Sequence, residues 1–210
     1  MFGYDTGVIA GAQLYFVDTW PDITDSQIAL IVSIALIGAA IGALFSGTIS
    51  DRIGRKKVII FADVLFTIGS LIMAFSPTIA VLMIGRLIIG FGVGIASQIV
   101  PLYLSEVAPV EIRGKLIASN VATITIATLS SSILAFLIRP NWRLMLGLAG
   151  VPSMTQLIGM LFMPESPRWL GKVGRPEDQL KVMKLIYKPA YLDVANKTLT
   201  DEVESLKEET

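Results

Sequence analysis

The chain has 210 residues, of which 53% are hydrophobic and only 16% are charged, and its formal net charge is zero. The absence of cysteine and histidine excludes disulfides, thiolate metal sites and cysteine nucleophiles, and leaves a carboxylate to carry any proton at physiological pH. The sequence has no basic stripe, nucleophile–base pair, metal-ligand cluster or phosphate loop. We therefore expect no nucleic-acid partner, no metal, no cofactor and no enzymatic activity.

The composition changes once along the chain. Up to residue 164, charges are confined to short clusters between long uncharged runs, whereas the chain is strongly polar from Glu165 onward. This change predicts an all-α membrane protein with a six-transmembrane-helix bundle over 1–164 and a cytosolic helical linker or tail over 165–210.

The first predicted span covers 1–17, which is apolar apart from Asp5. It is short, because a bilayer core of about 30 Å requires about 20 helical residues. We interpret it as the end of a first span whose beginning is missing. Five longer apolar runs follow and are predicted to cross the bilayer: 28–49, 58–75, 79–104, 115–138 and 144–163.

Lysines and arginines between the spans indicate the orientation, because short cytoplasmic loops are enriched in both. Two predicted loops, after the second and fourth spans, carry them: Arg52, Arg55, Lys56, Lys57, Arg113 and Lys115. Both the amino terminus and the tail are therefore expected in the cytosol, with the plasma membrane as the expected location. Trp20 and Trp142 are expected at the outer membrane interface and Trp169 at the inner one.

The tail is predicted to form two polar helical segments that separate near Pro189. Val203 and Leu206 are a weak indication of an apolar face in the second segment, whereas the first has a fuller one: Leu180, Val182, Met183, Leu185 and Ile186. The tail is then either a solvated linker or a latch beneath the bundle. Asn196 begins a glycosylation sequon that a cytosolic location would leave unused.

Three ionisable residues lie inside the predicted spans: Asp5, Asp63 and Arg86. Because each costs about 2.5–3.5 kcal/mol to insert, such residues usually face a protein interior and serve a function. Asp5 and Arg86 have opposite charges and could pair between the first and fourth spans, either as a proton-loading site or as a static packing contact. Asp63, about one turn into the third span, is expected near the inner headgroups in a structural role.

Glycines on the second and fourth spans indicate close helix packing, which small residues permit in lipid. Gly38 and Gly42 share one side of the second span, and Gly90, Gly92 and Gly94 run through the fourth. Such packing suits helices that slide in a transporter, but static packing explains it equally well.

Several motifs resemble one family over nearly the whole chain. Residues 47–57 (GTISDRIGRKK) resemble the loop signature of the major facilitator superfamily, and four further stretches resemble its sugar porter family: 2–11 (FGYDTGVIAG), 85–94 (GRLIIGFGVG), 101–115 (PLYLSE to IRGK) and 164–170 (PESPRWL). The resemblance implies a twelve-span relative built from two six-helix halves, of which this chain supplies the amino-terminal half. We then expect a fragment or an incomplete gene model, a missing carboxyl-terminal half as partner, and no transport by this half alone.

The resemblance also implies residue roles. Asp5 matches the acid of proton-coupled members and Arg86 its partner, whereas uniporters often have an amide in place of the acid. Phe2 matches an aromatic residue that lines the sugar site. A cytosolic salt-bridge network that closes the transporter from below is implied for seven further residues: Asp51, Arg52, Arg55, Glu106, Arg113, Glu165 and Arg168.

The fifth span departs from the family pattern. Where the family usually has Asn-Gln and Gly-Gln, this chain has Asn120-Val121 and Ala127-Thr128. The Thr128 hydroxyl can still hydrogen-bond a substrate hydroxyl, but it is shorter than glutamine and offers fewer groups. A cyclitol such as inositol, or another polyol, is therefore as plausible a substrate as a hexose.

The function that these observations favour is proton-coupled symport of a sugar or polyol by alternating access through the lipid bilayer. Two alternatives stay open. In a facilitative uniporter the Asp5–Arg86 pair would be structural only, and a sensor or non-transporting remnant would show no net flux.

Overall fold

A computed structural model describes residues 1–187, and those residues form helices and short connections without a strand. Gln13–Tyr15 is a short 3-10 helix. The α-helices are α1 (Phe2–Ala12), α2 (Phe16–Thr19), α3 (Asp25–Ile53), α4 (Arg55–Ala74), α5 (Ile79–Val107), α6 (Val110–Ile138), α7 (Trp142–Gly147), α8 (Gly150–Phe162), α9 (Pro167–Lys172) and α10 (Pro176–Ile186). The predicted all-α class is confirmed.

Five segments of the described chain are long and apolar enough to cross a membrane: α3, α4, α5, α6, and α7 together with α8. They coincide with the five longer predicted runs. The predicted first span over 1–17 is not one continuous helix, because the α-helical path ends at Ala12. With 11 residues, α1 extends about 16 Å, which is roughly half of a bilayer core.

The spanning helices extend further than the apolar runs that predicted them. α3 begins in a capping box, in which the Thr24 Oγ1 accepts from the Gln27 N–H at 3.3 Å and the Gln27 Oε1 accepts from the Thr24 N–H at 3.0 Å. Such reciprocal bonds satisfy N–H groups that a helix start leaves free. The helices also extend over all six basic residues that were predicted to occupy loops, and that prediction was wrong: Arg52, Arg55, Lys56, Lys57, Arg113 and Lys115.

The sixth span is interrupted between α7 and α8. Pro152 lies at the third position of α8, where the missing proline N–H is no loss, because N–H groups in a first helical turn have no intrahelical acceptor. A helix that ran unbroken through Gly147 would instead place this proline in its interior.

Helix α5 is the centre of the packing, with α3 on one side and α4 on the other. A Cβ atom added at Gly90 or Gly94 would overlap the α3 backbone at Ala35 or Ala39 respectively. Glycine is required at both positions because nothing but backbone fits between the helices. α1 packs on α6, and α8 packs on α4.

Trp142 and Trp169 are buried in the protein, and the predicted placement of the three tryptophans at the membrane interfaces stays a prediction. Trp142 is only 3% exposed and packs edge-on against Phe16, with ring centroids 5.2 Å apart. Its Nε1 donates to the Thr19 Oγ1 at 2.8 Å. Trp169 is also buried. Both indole N–H groups have protein partners, which removes the need for a headgroup position.

The tail folds against itself as far as it is described. Trp169 and Leu170 of α9 form an apolar cluster with Val182 of α10. Leu185, which was predicted on the same apolar face, is 78% exposed, so that assignment was wrong. The Asp178 side chain at the start of α10 is about one-third exposed, and hydrogen bonds from Lys181 and Arg175 lower its pKa.

The remaining predictions for the tail lie outside the described residues. They concern the separation near Pro189, the second helical segment and the sequon at Asn196.

Candidate functional site

A buried ion pair joins α1 to α5 in the middle of the bundle. Arg86 Nη1 donates to Asp5 Oδ1 at 2.6 Å. Arg86 is 2% exposed and Asp5 8% exposed. A charge in such surroundings is strongly penalised without a counter-charge, and each of the two residues supplies the counter-charge of the other. The two residues that sequence analysis proposed as partners are therefore in contact.

The pair leaves part of the guanidinium unused. Within the described residues the Arg86 Nε has no hydrogen-bond partner, although it is buried. An arginine offers five N–H donors, and the hydrogen bond to Asp5 joins only one nitrogen to the carboxylate. The contact is short but rests on a single carboxylate oxygen.

A cavity of about 280 Å³ opens beside the amino-terminal end of α1. Phe2, which is 48% exposed, lines this cavity together with three polar side chains, Ser97 of α5, Asn120 of α6 and Gln156 of α8. Aromatic surface beside a few polar groups is the usual composition of a small-molecule site.

Thr128 does not line this cavity. Its hydroxyl donates to the Ile124 carbonyl at 3.0 Å, one helical turn earlier, and a Cβ added at Gly3 of α1 would lie 3.0 Å from it. The Thr128 side chain therefore packs where α1 contacts α6. Its hydroxyl hydrogen is used in a hydrogen bond to the backbone.

A second cluster of charges lies where α3 ends, α4 begins and α5 ends, which we call the charged end of the bundle. Arg55 is 7% exposed. It donates two hydrogen bonds to the Glu106 carboxylate, from Nε to Oε2 at 3.0 Å and from Nη2 to Oε1 at 3.2 Å. Its Nη1 reaches Asp51 Oδ1 at 3.0 Å and the Ser50 carbonyl at 3.2 Å. Such two-pronged pairs are the strongest that arginine makes.

Glu165 and Ser166 bring α9 into this cluster. Glu165 Oε1 accepts from the Lys56 N–H at 3.0 Å, at the first turn of α4, where negative charge is favourable. The Ser166 Oγ donates a short hydrogen bond to Glu106 Oε2. Gly54 has a φ of 101°, and a Cβ there would overlap the Glu165 carboxylate. Glycine thus permits both the chain reversal between α3 and α4 and the approach of Glu165.

Further contacts fix α9 beneath the bundle. Trp169 Nε1 donates to the Asp51 carbonyl at 2.9 Å, and Lys172 Nζ lies 3.2 Å from Asp51 Oδ2. The Tyr103 hydroxyl donates to the Pro164 carbonyl at 2.7 Å. The segment after α8 is therefore attached to α3, α4 and α5.

The structure unites only part of the expected network. Asp51, Arg55, Glu106 and Glu165 converge as described above, and Arg168 lies in α9 at the same end. Arg52 is exposed, and neither it nor Arg113 forms an ion pair with another described residue. The Nε of Arg113 is buried without a partner in that part of the chain.

Asp63 lies deeper than sequence analysis placed it. Since α4 begins at Arg55, eight residues precede Asp63 in the helix, which is more than two turns and about 12 Å along the axis. The prediction that Asp63 lies about one turn into its helix was wrong, because the basic residues at 55–57 belong to the helix rather than to a loop.

Several polar residues at both sites were not predicted from the sequence. Ser97 lies beside Gln98, and Gln156 lies beside Thr155, in runs that are otherwise largely apolar. Such polar pairs inside predicted spans were the available signal. Ser166 and Tyr103 belong to motifs that were recognised, yet their bonds to Glu106 and to the Pro164 carbonyl depend on how α9 folds back.

The model of the family described as "Sugar (and other) transporter" matches residues 1–210. Among curated relatives, the chain is 43% identical to inositol transporter 4 of Arabidopsis thaliana, covering 99% of this chain and 36% of that protein. It is also 43% identical to the glucose transporter GlcP of Staphylococcus epidermidis, covering 100% of this chain and 47% of that protein.

Among solved structures, the chain matches that of the major facilitator proton:xylose symporter XylE, an E. coli protein, bound to 6-bromo-6-deoxy-D-glucose. The TM-score is 0.89 at 28% identity, covering 97% of this chain and 50% of that one. The chain thus spans half or less of the length of these relatives, and its fold corresponds to the amino-terminal half of the major facilitator fold.

Proposed function

We propose, since the chain belongs to the family of sugar and other transporters, that it forms the amino-terminal half of a proton-coupled symporter for a sugar or polyol. In this proposal residues 1–164 are the membrane half and residues 165–210 a cytosolic linker. A carboxyl-terminal half would complete the transporter, and the substrate would cross between the halves by alternating access.

The observation that carries the proton-coupling proposal is the buried contact between Asp5 and Arg86. Protonating Asp5 would cancel its charge and leave Arg86 without a counter-charge in an apolar interior. Separating the two residues would in turn favour the protonated acid. Proton binding and helix position are therefore linked through one contact, as symport requires.

A proton that enters along a membrane potential of 100 mV contributes about 2.3 kcal/mol. One proton carried by Asp5 would thus supply a free energy of the order needed to concentrate a neutral solute. The name of XylE, a proton:xylose symporter, adds independent support for this mode of transport.

We propose that the charged end is the cytosolic gate. Its lysines and arginines favour the cytosolic side of the membrane, and the Arg55–Glu106–Ser166 contacts hold α4, α5 and α9 together. If the two halves rock about the substrate, these contacts would stabilise the conformation that is closed on this side.

The proposed substrate site is the cavity at Phe2. Phe2 supplies an apolar face for the carbon skeleton, and Ser97, Asn120 and Gln156 supply hydrogen-bonding groups for hydroxyls. The set suits a neutral polyhydroxylated ring. Since the relatives include inositol and glucose transporters, a cyclitol or a hexose is the proposed substrate, with Thr128 as a contact only if it reorients.

The test is uptake of radiolabelled inositol and glucose by the full-length transporter in transport-deficient cells, with and without a proton gradient. We expect gradient-dependent uptake that Asp5→Asn abolishes. Asp25→Asn, which changes an exposed acid in the first turn of α3, is the matched control and should transport normally.

Each outcome decides between the candidate functions. Uptake that is indifferent to the gradient and survives Asp5→Asn would make the protein a facilitator in which the ion pair only fixes helix packing. Absence of uptake of both solutes by a correctly inserted protein would contradict a transporter for these substrates and favour a sensor.

A further inference from the structure

Asp63 is a second acidic residue inside the bundle, and the proposed transport cycle does not use it. Its side chain lies on α4 and is 0% exposed. Among the residues that the structure describes, neither carboxylate oxygen of Asp63 has a hydrogen-bond partner. This distinguishes it from Asp5, whose charge is met by Arg86.

The polar groups next to Asp63 are engaged elsewhere. The Thr67 hydroxyl, one turn further along α4, contacts the backbone carbonyl of Asp63 and the Ser153 hydroxyl of α8, each at 2.8 Å. Ala62, directly before Asp63, and Phe66, three positions after it, are fully buried, and both lie against Gly92 of α5. Asp63 is therefore a buried acid on a stretch of α4 whose neighbouring residues pack against α5 and α8.

The basic groups on the neighbouring helices are also paired or distant. On α5, Arg86 pairs with Asp5. Its neighbour Gly85 packs at Gly69 and Met73, more than one turn along α4 from Asp63. On α7, Arg143 donates to the Ser76 carbonyl beyond the far end of α4, and α8 has no charged residue.

Other ionisable groups lie at the helix ends. α3 contributes Asp25, Asp51 and Arg52, and α5 contributes Glu106, which Arg55 neutralises. From the side of α1, the amino group of Met1 attracts Asp63 electrostatically but forms no hydrogen bond with it. Asp63 thus has no basic side chain in contact within the described chain.

We propose that Asp63 is a second proton-binding site of the bundle, which carries a proton as a neutral carboxylic acid while α4, α5 and α8 are packed as observed. An ionised carboxylate in a dry interior requires a partner that accepts its charge, and without one the group binds a proton instead. Ionisation of Asp63 requires water or a cation to reach it, which the observed packing around α4 excludes. Loss of its proton therefore reports the loosening of that packing.

This site is independent of the transport proposal, and its test does not rely on flux. The measurement is the infrared carbonyl-stretch region of the full-length protein in lipid at neutral pH, where protonated and ionised carboxyl groups absorb separately. We expect Asp63→Asn to lose one protonated-acid band, and Asp25→Asn and Asp5→Asn to keep it. A difference spectrum of Asp63→Asn without such a loss would overturn the proposal.

A second variant covers the case in which Asp63→Asn does not fold. A neutral acid without partners can be replaced by an apolar residue of similar size at little cost, so Asp63→Leu is expected to fold and to lose the same band. If neither variant folds, Asp63 is required as an ion, and the proposal fails.

The pH dependence of stability provides a further check. An acid that is buried and neutral in the folded protein but ionised in the unfolded one destabilises the fold once the pH exceeds the ordinary pKa of an aspartic acid. The melting temperature of Asp63→Asn should therefore exceed that of the unsubstituted protein more at pH 7 than at pH 4. An equal or opposite difference would contradict a neutral Asp63.

Discussion

Two buried arginines in this bundle are held in different ways. Arg55 at the charged end uses all three of its side-chain nitrogens, on Glu106, Asp51 and the Ser50 carbonyl. Arg86 in the middle reaches Asp5 through one nitrogen and keeps a buried Nε without a described partner. If one contact is lost, Arg55 keeps other partners, whereas Arg86 loses its ion pair. This difference fits a stable contact at the charged end and a contact in the middle that can be broken.

The largest effect is expected at the single contact. Arg86→Ala leaves Asp5 buried without a counter-charge and should lower the free energy of unfolding by about 3–5 kcal/mol. The measurement is thermal unfolding of the full-length protein in detergent. Adding Asp5→Asn to Arg86→Ala should recover most of the loss, and a double variant no better than the single one would show that Asp5 is not the partner.

A smaller effect is expected in the redundant cluster. Glu106→Gln removes the charge that Arg55 grips, but Asp51 and the Ser50 carbonyl remain. We expect a loss of about 2 kcal/mol in the free energy of unfolding. Asp51→Asn is the matched comparison, and because the Asp51 side chain is 48% exposed it should cost less than about 1 kcal/mol. A loss for Glu106→Gln as large as that for Arg86→Ala would contradict the redundancy.

Ser166→Ala tests how α9 is attached to the charged end. The substitution removes the donor to Glu106 and the N-cap that accepts from the Trp169 N–H at 3.2 Å. A cap of this kind contributes about 1 kcal/mol. Amide hydrogen exchange in α9 should therefore accelerate about fivefold while α4 and α5 are unchanged. Ser105→Ala is the control and should leave exchange in α9 unaltered, because the Ser105 hydroxyl donates to the Leu102 carbonyl of its own helix.

The smallest effect is expected at Asp178. Its pKa is lowered from an ordinary value of 3.8 by Lys181 and Arg175, so its contribution to stability is present above that value and is lost as pH falls through the lowered pKa. Because the Asp178 side chain is about one-third exposed and its charge is screened by solvent, Asp178→Asn should slightly lower the thermal stability of α10 at pH 7. In strong acid the two proteins should be indistinguishable by circular dichroism, and a difference that persisted there would exclude the ionic explanation.

The parts of the fold that the sequence could predict are those that the bilayer dictates. The five long spans follow from runs of apolar residues, and the contact of Asp5 with Arg86 follows from two opposite charges that lipid would otherwise penalise. Both constraints act on residue types alone. Neither requires knowledge of which helix lies beside which.

Features that depend on neighbouring helices could not be predicted in the same way. The burial of Trp142 depends on Phe16 and Thr19, which lie more than a hundred residues earlier. The orientation of the Thr128 hydroxyl depends on a local bond to the Ile124 carbonyl, with which a substrate would have to compete. The depth of Asp63 depended on where α4 begins, and the basic residues at 55–57 gave no sign that they were helical.

The glycines of α5 have a mechanical consequence. Where Gly90 and Gly94 meet Ala35 and Ala39, no side chain separates the two backbones, so no change of rotamer can let one helix glide past the other. We therefore expect α3 and α5 to move together as one rigid unit. The distance between spin labels placed on the outer surfaces of these two helices should stay constant while the rest of the protein changes shape, and it can serve as an internal ruler for motions elsewhere.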